Sequence, residues 1–299
     1  MTVFLGLLKN VLEEGFIYGI LALGVYITYS ILDFPDLSVD GTFPLGACVT
    51  AALIAGGCNP VIACVIAFAF GALAGCITGF LHVVLKIREL LCGILVMTGL
   101  ASVHLAVTGN KSVLPFYDMP TIFNSGIVKL LPEALYTYRI LIVAFLCVVS
   151  VKILLDLFLK TKAGLLLRAE GDNAQLVTSL AKNDGTVKIL GLALGNGLAA
   201  LAGSVLAQQS ESANIASGTG MVVLGLASVI IGGTVFRRFK AMRATTAAVL
   251  GAVLYKACLS VAMQLGLPTS YLKLLMSIIL ILALMSGKFL PKRRKQNAN

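Results

Sequence analysis

Long apolar runs alternate with short polar breaks along this chain. The runs are continuous rather than alternating with period two. That pattern suits spanning helices, which need about 20 apolar residues, and excludes a β-barrel, whose strands alternate over about 10 residues. Nine runs qualify: residues 15–32, 41–57, 60–86, 90–108, 138–159, 187–208, 221–234, 244–265 and 270–285. The second and seventh are short. Residues 1–14 read as a separate amphipathic opening, without the basic region and small-residue site of a cleavable signal peptide. The longest interior loop is 109–137, with a surface helix expected near 127–135.

Two polar breaks stand at matching places. The segment GILALGVYITYSILDFPDLSVDGTFPLGA runs from Gly19 to Ala47, and GLALGNGLAALAGSVLAQQSESANIASGTGMVV from Gly191 to Val223. Each has a long apolar helix, a polar break and a short helix, and each is followed by two more spans. The first long helix and the sixth point in opposite senses, so the halves are inverted. Interrupted segments at matching positions of inverted halves point to a transport pathway. The first break (Asp36, Leu37, Ser38, Asp40, Gly41) is placed at the cytoplasmic end as part of an inner gate, with Asp40 or Ser38 capping the short helix. The second, which includes Gln208 and Gln209, is placed at the outer mouth.

Composition supports this reading. Of 299 residues, 59% are hydrophobic and 12% charged, against roughly 25% charged in an ordinary soluble domain. The net charge of +10 suggests nucleic acid in a soluble protein. Here most of the 23 Lys and Arg fall in the 86–88, 160–188 and 237–243 loops and the 288–295 tail, which are separated by even numbers of spans. The positive-inside rule therefore puts the four regions in the cytoplasm, with the C-terminus inside and the N-terminus outside. No nucleic-acid partner is expected.

Candidate chemistry is sparse. Seven scattered cysteines form no CxxC pair, so neither a disulfide framework nor a metal site is expected. No Walker loop and no catalytic constellation is present, so no catalysis is expected and this chain should hold no cofactor. Lys256, in the middle of the eighth span, is costly in hydrocarbon and therefore a functional candidate. It would meet a substrate carboxylate or a backbone carbonyl, or pair with Asp40 or Glu211. Asn196 lines the pathway or bonds across helices. Lys152 and Asp156 pair at i,i+4. His82 and His104, without acidic partners nearby, are expected to be hydrogen-bonded helix residues. Gly71, Gly75, Gly79, Gly191 and Gly195 mark close helix contacts.

The one sizeable polar segment on the basic side is 160–188. A helix over 165–170, between Gly164 and the Gly171-Asp172-Asn173 turn, and a second helix over 174–181 would make a compact knob. Arg168, Glu170 and Asp172 give it the mixed charge of a docking surface. With Gly164, Arg168, Ala169, Gly171 and Asp172, the GLAALAG run from Gly197 to Gly203 and the DLSVDG turn from Asp36 to Gly41, the chain resembles permease subunits of ATP-binding-cassette importers of the branched-chain amino acid and ribose type. Tyr26 to Ala47, and Lys256 in GAVLYKACLS, look most like the tryptophan- or tyrosine-type branch.

The resemblance implies an all-α polytopic membrane protein with about nine transmembrane helices in two inverted halves, a type II-like importer permease. The whole chain, 1–299, is then one permease domain. Its first half is 1–137 and its cytoplasmic coupling segment 160–188. Its second half is 187–287, followed by a basic tail at 288–299. The resemblance further implies a homodimer in the lipid bilayer of the cell membrane. An ATPase subunit that binds ATP and Mg would grip Gly164 to Asn173, and an extracytoplasmic binding protein would deliver the cargo. An amino acid, aromatic first, is the expected cargo, with a sugar, nucleoside or other small solute as alternatives. An ion-coupled secondary transporter is the rival class, and it would need an intramembrane carboxylate.

Overall fold

The computed structural model describes residues 2–126, 128, 132–172, 184–236, 242–266, 268 and 271–289. The expected second coupling helix at 174–181, Asn173, most of the 237–243 loop and the basic tail beyond 289 lie outside them.

Helices dominate, in the order α1 (Thr2–Val25), α2 (Val39–Ala55), α3 (Pro60–Val83), α4 (Glu89–Val107), a one-turn α5 (Glu133–Tyr136), α6 (Arg139–Phe158), α7 (Lys162–Asp172), α8 (Asp184–Ser210), α9 (Met221–Val235), α10 (Ala244–Gln264) and α11 (Leu272–Phe289). The chain is therefore an all-α polytopic membrane protein. Seven of these elements are long and apolar enough to cross a membrane, and Val39–Ala55 and Leu274–Met285 are shorter apolar helices. Together they account for the nine expected runs.

One boundary is corrected. The opening is not separate: α1 starts at Thr2 and runs on into a π-helical stretch, Tyr26–Ile31. Of the surface helix expected near 127–135, only the single turn α5 is described, and it begins later. Residue pairs fix the helix directions. Gly24 meets Gly195 and Leu32 meets Gly191, so α1 and α8 are antiparallel. Thr42 meets Asn196 and Thr50 meets Ser204, so α2 runs parallel to α8. Gly15 faces Val253 and Gly19 faces Val249, so α10 opposes α1, and Gly232 against Ala247 with Gly251 against Ser228 sets α9 antiparallel to α10. Hence α9 runs with α1, and the short helices α2 and α9 oppose each other.

Close approach holds this core together. Lipid tails are as apolar as leucine, so spans associate by packing and by polar bonds across helices. A Cβ at Gly46 would stand 1.9 Å from the Ala200 carbonyl oxygen, and one at Gly203 as near to that of Phe43. The Gly71, Gly75 and Gly79 stripe of α3 lies directly on the α8 backbone, as its spacing predicted. The outward faces of α3, α6 and α11 remain apolar and exposed, with Val65, Leu154 and Ile281 all more than half accessible.

Candidate functional site

Both long helices end alike. The π stretch of α1 gives way at Leu32 to Asp33 (φ 55°), and α8 ends at Ser210 before Glu211 (φ 50°). Each break thus opens on an acidic residue in the left-handed region, which Asp tolerates better than most residues. In the first break Pro35 cannot continue the helix. The chain folds back, with the Phe34 N–H donating to the Thr28 carbonyl at 2.9 Å.

The first break, expected at the cytoplasmic end as part of an inner gate, is packed inside the bundle. Asp36, Ser38 and Thr42 are buried against Asn196, halfway along α8. Gly93 makes room, because a Cβ there would stand 2.8 Å from the Leu37 nitrogen. Asn196 Nδ2 donates to Asp36 Oδ2 at 2.6 Å and to the Leu192 carbonyl at 3.1 Å. Its Oδ1 accepts from Thr42 Oγ1 at 2.9 Å. Ser38 Oγ lies 2.6 Å from Asp36 Oδ1 and 3.0 Å from Asn196 Oδ1, so its one proton is shared.

The cap assignments change as well. Ser38 makes no side-chain cap bond to α2. Instead Asp36 Oδ1 accepts the Ser38 N–H at 2.8 Å. Asp40 caps the other half: its carboxylate accepts from the Gly220 N–H at 3.1 Å and the Val222 N–H at 2.7 Å. The N-termini of the two short helices therefore meet head to head, each beside an aspartate. Helix N-termini carry partial positive charge, and two that converge need an anion between them. Pro44 removes the N–H that would bond the Asp40 carbonyl, and Gly218 packs directly over that oxygen. The Gly41 carbonyl accepts from His104 Nε2 at 2.9 Å.

Replacing Asp40 by alanine should lower the thermal midpoint, since losing such a cap costs about 1–2 kcal/mol. Asp40→Asn should fall between alanine and wild type. Fluorescence-detected size exclusion after heating reads both. Equal midpoints for all three would mean that the carboxylate does not hold α9.

The outer mouth is rearranged too. Gln208 is not in a loop but is buried on α8, donating to the Pro60 carbonyl at 3.3 Å and accepting from the Ile122 N–H at 3.0 Å. Gln209 follows it, half-buried. Asn196, Ala200, Ser204 and Gln208 form an i,i+4 stripe facing α2 and α3. That spacing was a readable signal for Ser204 and Thr50, which bond at 2.7 Å. Beyond Glu211 the strand Ser212–Asn214 pairs antiparallel with Val113–Pro115.

Lys256 is paired neither with Asp40 nor with Glu211. It hydrogen-bonds Glu14 of α1 and lies over the Tyr18 ring at 5.8 Å. Because α1 begins at Thr2, Glu14 lies inside the helix and is placed to neutralise a half-buried lysine. Lys152 and Asp156 do pair, at 2.9 Å, and Asp156 also accepts from Arg243 and Thr245. His82 bonds the Ile87 carbonyl, and the Glu89 carboxylate that the sequence reading missed stands 3.9 Å away.

The coupling segment begins as one helix, α7, rather than a turn on either side of 165–170. Leu167 and Gly164 are buried, Arg168 is exposed and Ala169 half-buried. Glu170 is not on a docking surface: it faces inward and pairs with Lys188 of α8 at 3.5 Å. Gly171 lies on the end of α1, where a Cβ would stand 1.6 Å from the Ile31 carbonyl oxygen. Asp172 closes α7, and Asn173 is beyond the described residues.

Residues 7–284 match the family described as branched-chain amino acid transport system / permease component. A tyrosine transport system permease protein of Clostridioides difficile is 43% identical, over 97% of this chain and 94% of that protein. The ribose import permease protein RbsC of Escherichia coli is 24% identical, over 93% of this chain and 84% of its own. Among solved structures, PsaBC from Streptococcus pneumoniae in complex with Fab superposes with a TM-score of 0.53 at 12% identity, over 93% of this chain and 90% of that one. The last similarity concerns the fold alone.

Proposed function

This chain belongs to the permease family of branched-chain amino acid transport systems, and on that premise we propose that it is the membrane subunit of an ATP-driven importer of a small solute. An amino acid is the first cargo class, and an aromatic one the first choice within it, because of the similarity to a tyrosine transport permease. ATP and Mg would be bound by a separate ATPase subunit gripping α7. A binding protein would deliver cargo at the opposite end, and two copies of this chain would enclose the pathway. The α7 end would face the cytoplasm, as would the C-terminus.

The observation that carries this reading is the seat of α7. Gly171 presses on the Ile31 carbonyl, two residues before Asp33 opens the break that leads to Asp36, Ser38 and Asp40. A push on α7 would therefore act directly on the joint between the inverted halves. A π stretch at that joint supplies a second backbone register, a feature common at functional sites. Nucleotide state would bias such a two-state element. An ion-coupled mechanism is less favoured, because the carboxylates of Asp36 and Asp40 are already bound to Asn196, Ser38 and the α9 amides.

Purification of tagged chain from its native membrane in gentle detergent should bring down an ATPase subunit. Arg168→Glu, on the exposed face of α7, should abolish uptake with membrane levels unchanged. A preparation that supports uptake yet contains no ATPase would overturn the proposal.

A further inference from the structure

A cavity of about 570 Å³ lies between α7 and the ends of α1, α6 and α10. Its polar lining comes from separate elements. Tyr26 and Ser30 belong to the π stretch, Lys160 follows α6, Arg168 is on α7, and Arg243 and Thr245 open α10. The one carboxylate in the lining, Asp156, is already taken by Lys152, Arg243 and Thr245. Lys160 and Arg168 therefore face the cavity with no carboxylate partner among the described residues. Cations that merely mark one side of a membrane spread over solvated loops. Here three converge on a concavity, with hydroxyl donors among them.

We propose that this cavity binds a phosphate-bearing anion, either the headgroup of an acidic phospholipid or a soluble phosphate. The chemistry fits in three ways. A guanidinium forks onto two phosphate oxygens, an ammonium adds a mobile point charge, and hydroxyls complete the shell. The position fits as well, since basic pockets at the ends of spanning helices on the cytoplasmic side take acidic lipid headgroups. An anion held there touches α1, α7 and α10 together. It would brace the coupling helix against the π stretch and make the movement of α7 sensitive to the surrounding lipid.

The test uses full-length chain purified in phosphatidylcholine micelles, titrated with fluorescent phosphatidylglycerol and, separately, heated with millimolar inorganic phosphate. Wild type should bind phosphatidylglycerol in preference to phosphatidylcholine. Lys160→Glu and Ser30→Asp, each bringing a carboxylate into the lining, should weaken that binding about tenfold. Lys160→Arg should keep it. Lys162→Glu, with the same change of charge but outside the lining, should leave it unchanged.

If phosphatidylglycerol is not preferred but inorganic phosphate raises the thermal midpoint of wild type and not of the two lining variants, the site holds and its ligand is soluble. A lipid preference that survives both lining variants, or that falls equally with Lys162→Glu, overturns the site. So does a failure of both ligands to bind wild type. Monodisperse elution and retained binding in Lys160→Arg show that the comparison concerns folded protein.

Discussion

Asn196→Leu is expected to lower the stability of the protein by about 3 kcal/mol, the scale on which a buried charge loses its partner. Bonds between neutral side chains of neighbouring spans contribute only about 0.6–1.7 kcal/mol. Asn196 differs because Asp36 is a carboxylate and both are buried. Leucine removes the donor to Asp36 Oδ2 and the acceptor used by Thr42, and it restores neither. Against a total stability of about 5–15 kcal/mol, the loss should appear as a much lower thermal midpoint and reduced membrane levels. Adding Asp36→Asn to Asn196→Leu should recover part of the loss, since an unpaired neutral amide costs less to bury than an unpaired carboxylate. Additive losses in the double variant would show that the two residues do not act as a pair.

Gly171→Ala should act on transport more than on folding. The new Cβ would meet the Ile31 carbonyl oxygen at 1.6 Å. That oxygen is backbone, so no rotamer change relieves the clash. Either α7 lifts away or the π stretch shifts. Both separate the coupling helix from the break, while the close approaches of α8 to α2 and α3 at Gly46, Gly203, Gly71 and Gly75 do not involve α7. Uptake should fall about ten- to hundredfold, the range of a coupling free energy of about 1–3 kcal/mol, while the elution profile stays that of wild type. Gly99→Ala, where nothing lies within 4 Å, is the control and should transport normally. Normal uptake by Gly171→Ala would mean that contact with the Ile31 carbonyl transmits nothing.

Much of this protein was legible in its sequence. Hydrophobic runs report helices directly, because a lipid-facing backbone must satisfy its own hydrogen bonds. All nine runs accordingly became apolar helices. The glycine stripe on α3 was readable for a similar local reason: spacing of four places small residues on one face. The paired breaks were readable from composition, and so was the i,i+4 ion pair of Lys152 and Asp156.

What sits opposite what was decided only by the tertiary structure. Asp40 was read as a cap for its own helix, yet it caps α9, more than 180 residues away. No local pattern records that two short helices meet end to end. Lys256 was assigned to Asp40, Glu211 or a substrate, and its partner is Glu14, on a stretch read as lying outside the spans. Glu170 was read as a docking charge, yet it is buried against Lys188. Apolar burial follows from each residue's own hydropathy, so it can be read one helix at a time. A polar residue inside a membrane is stable only beside a particular partner, and packing across the whole chain alone determines which partner that is.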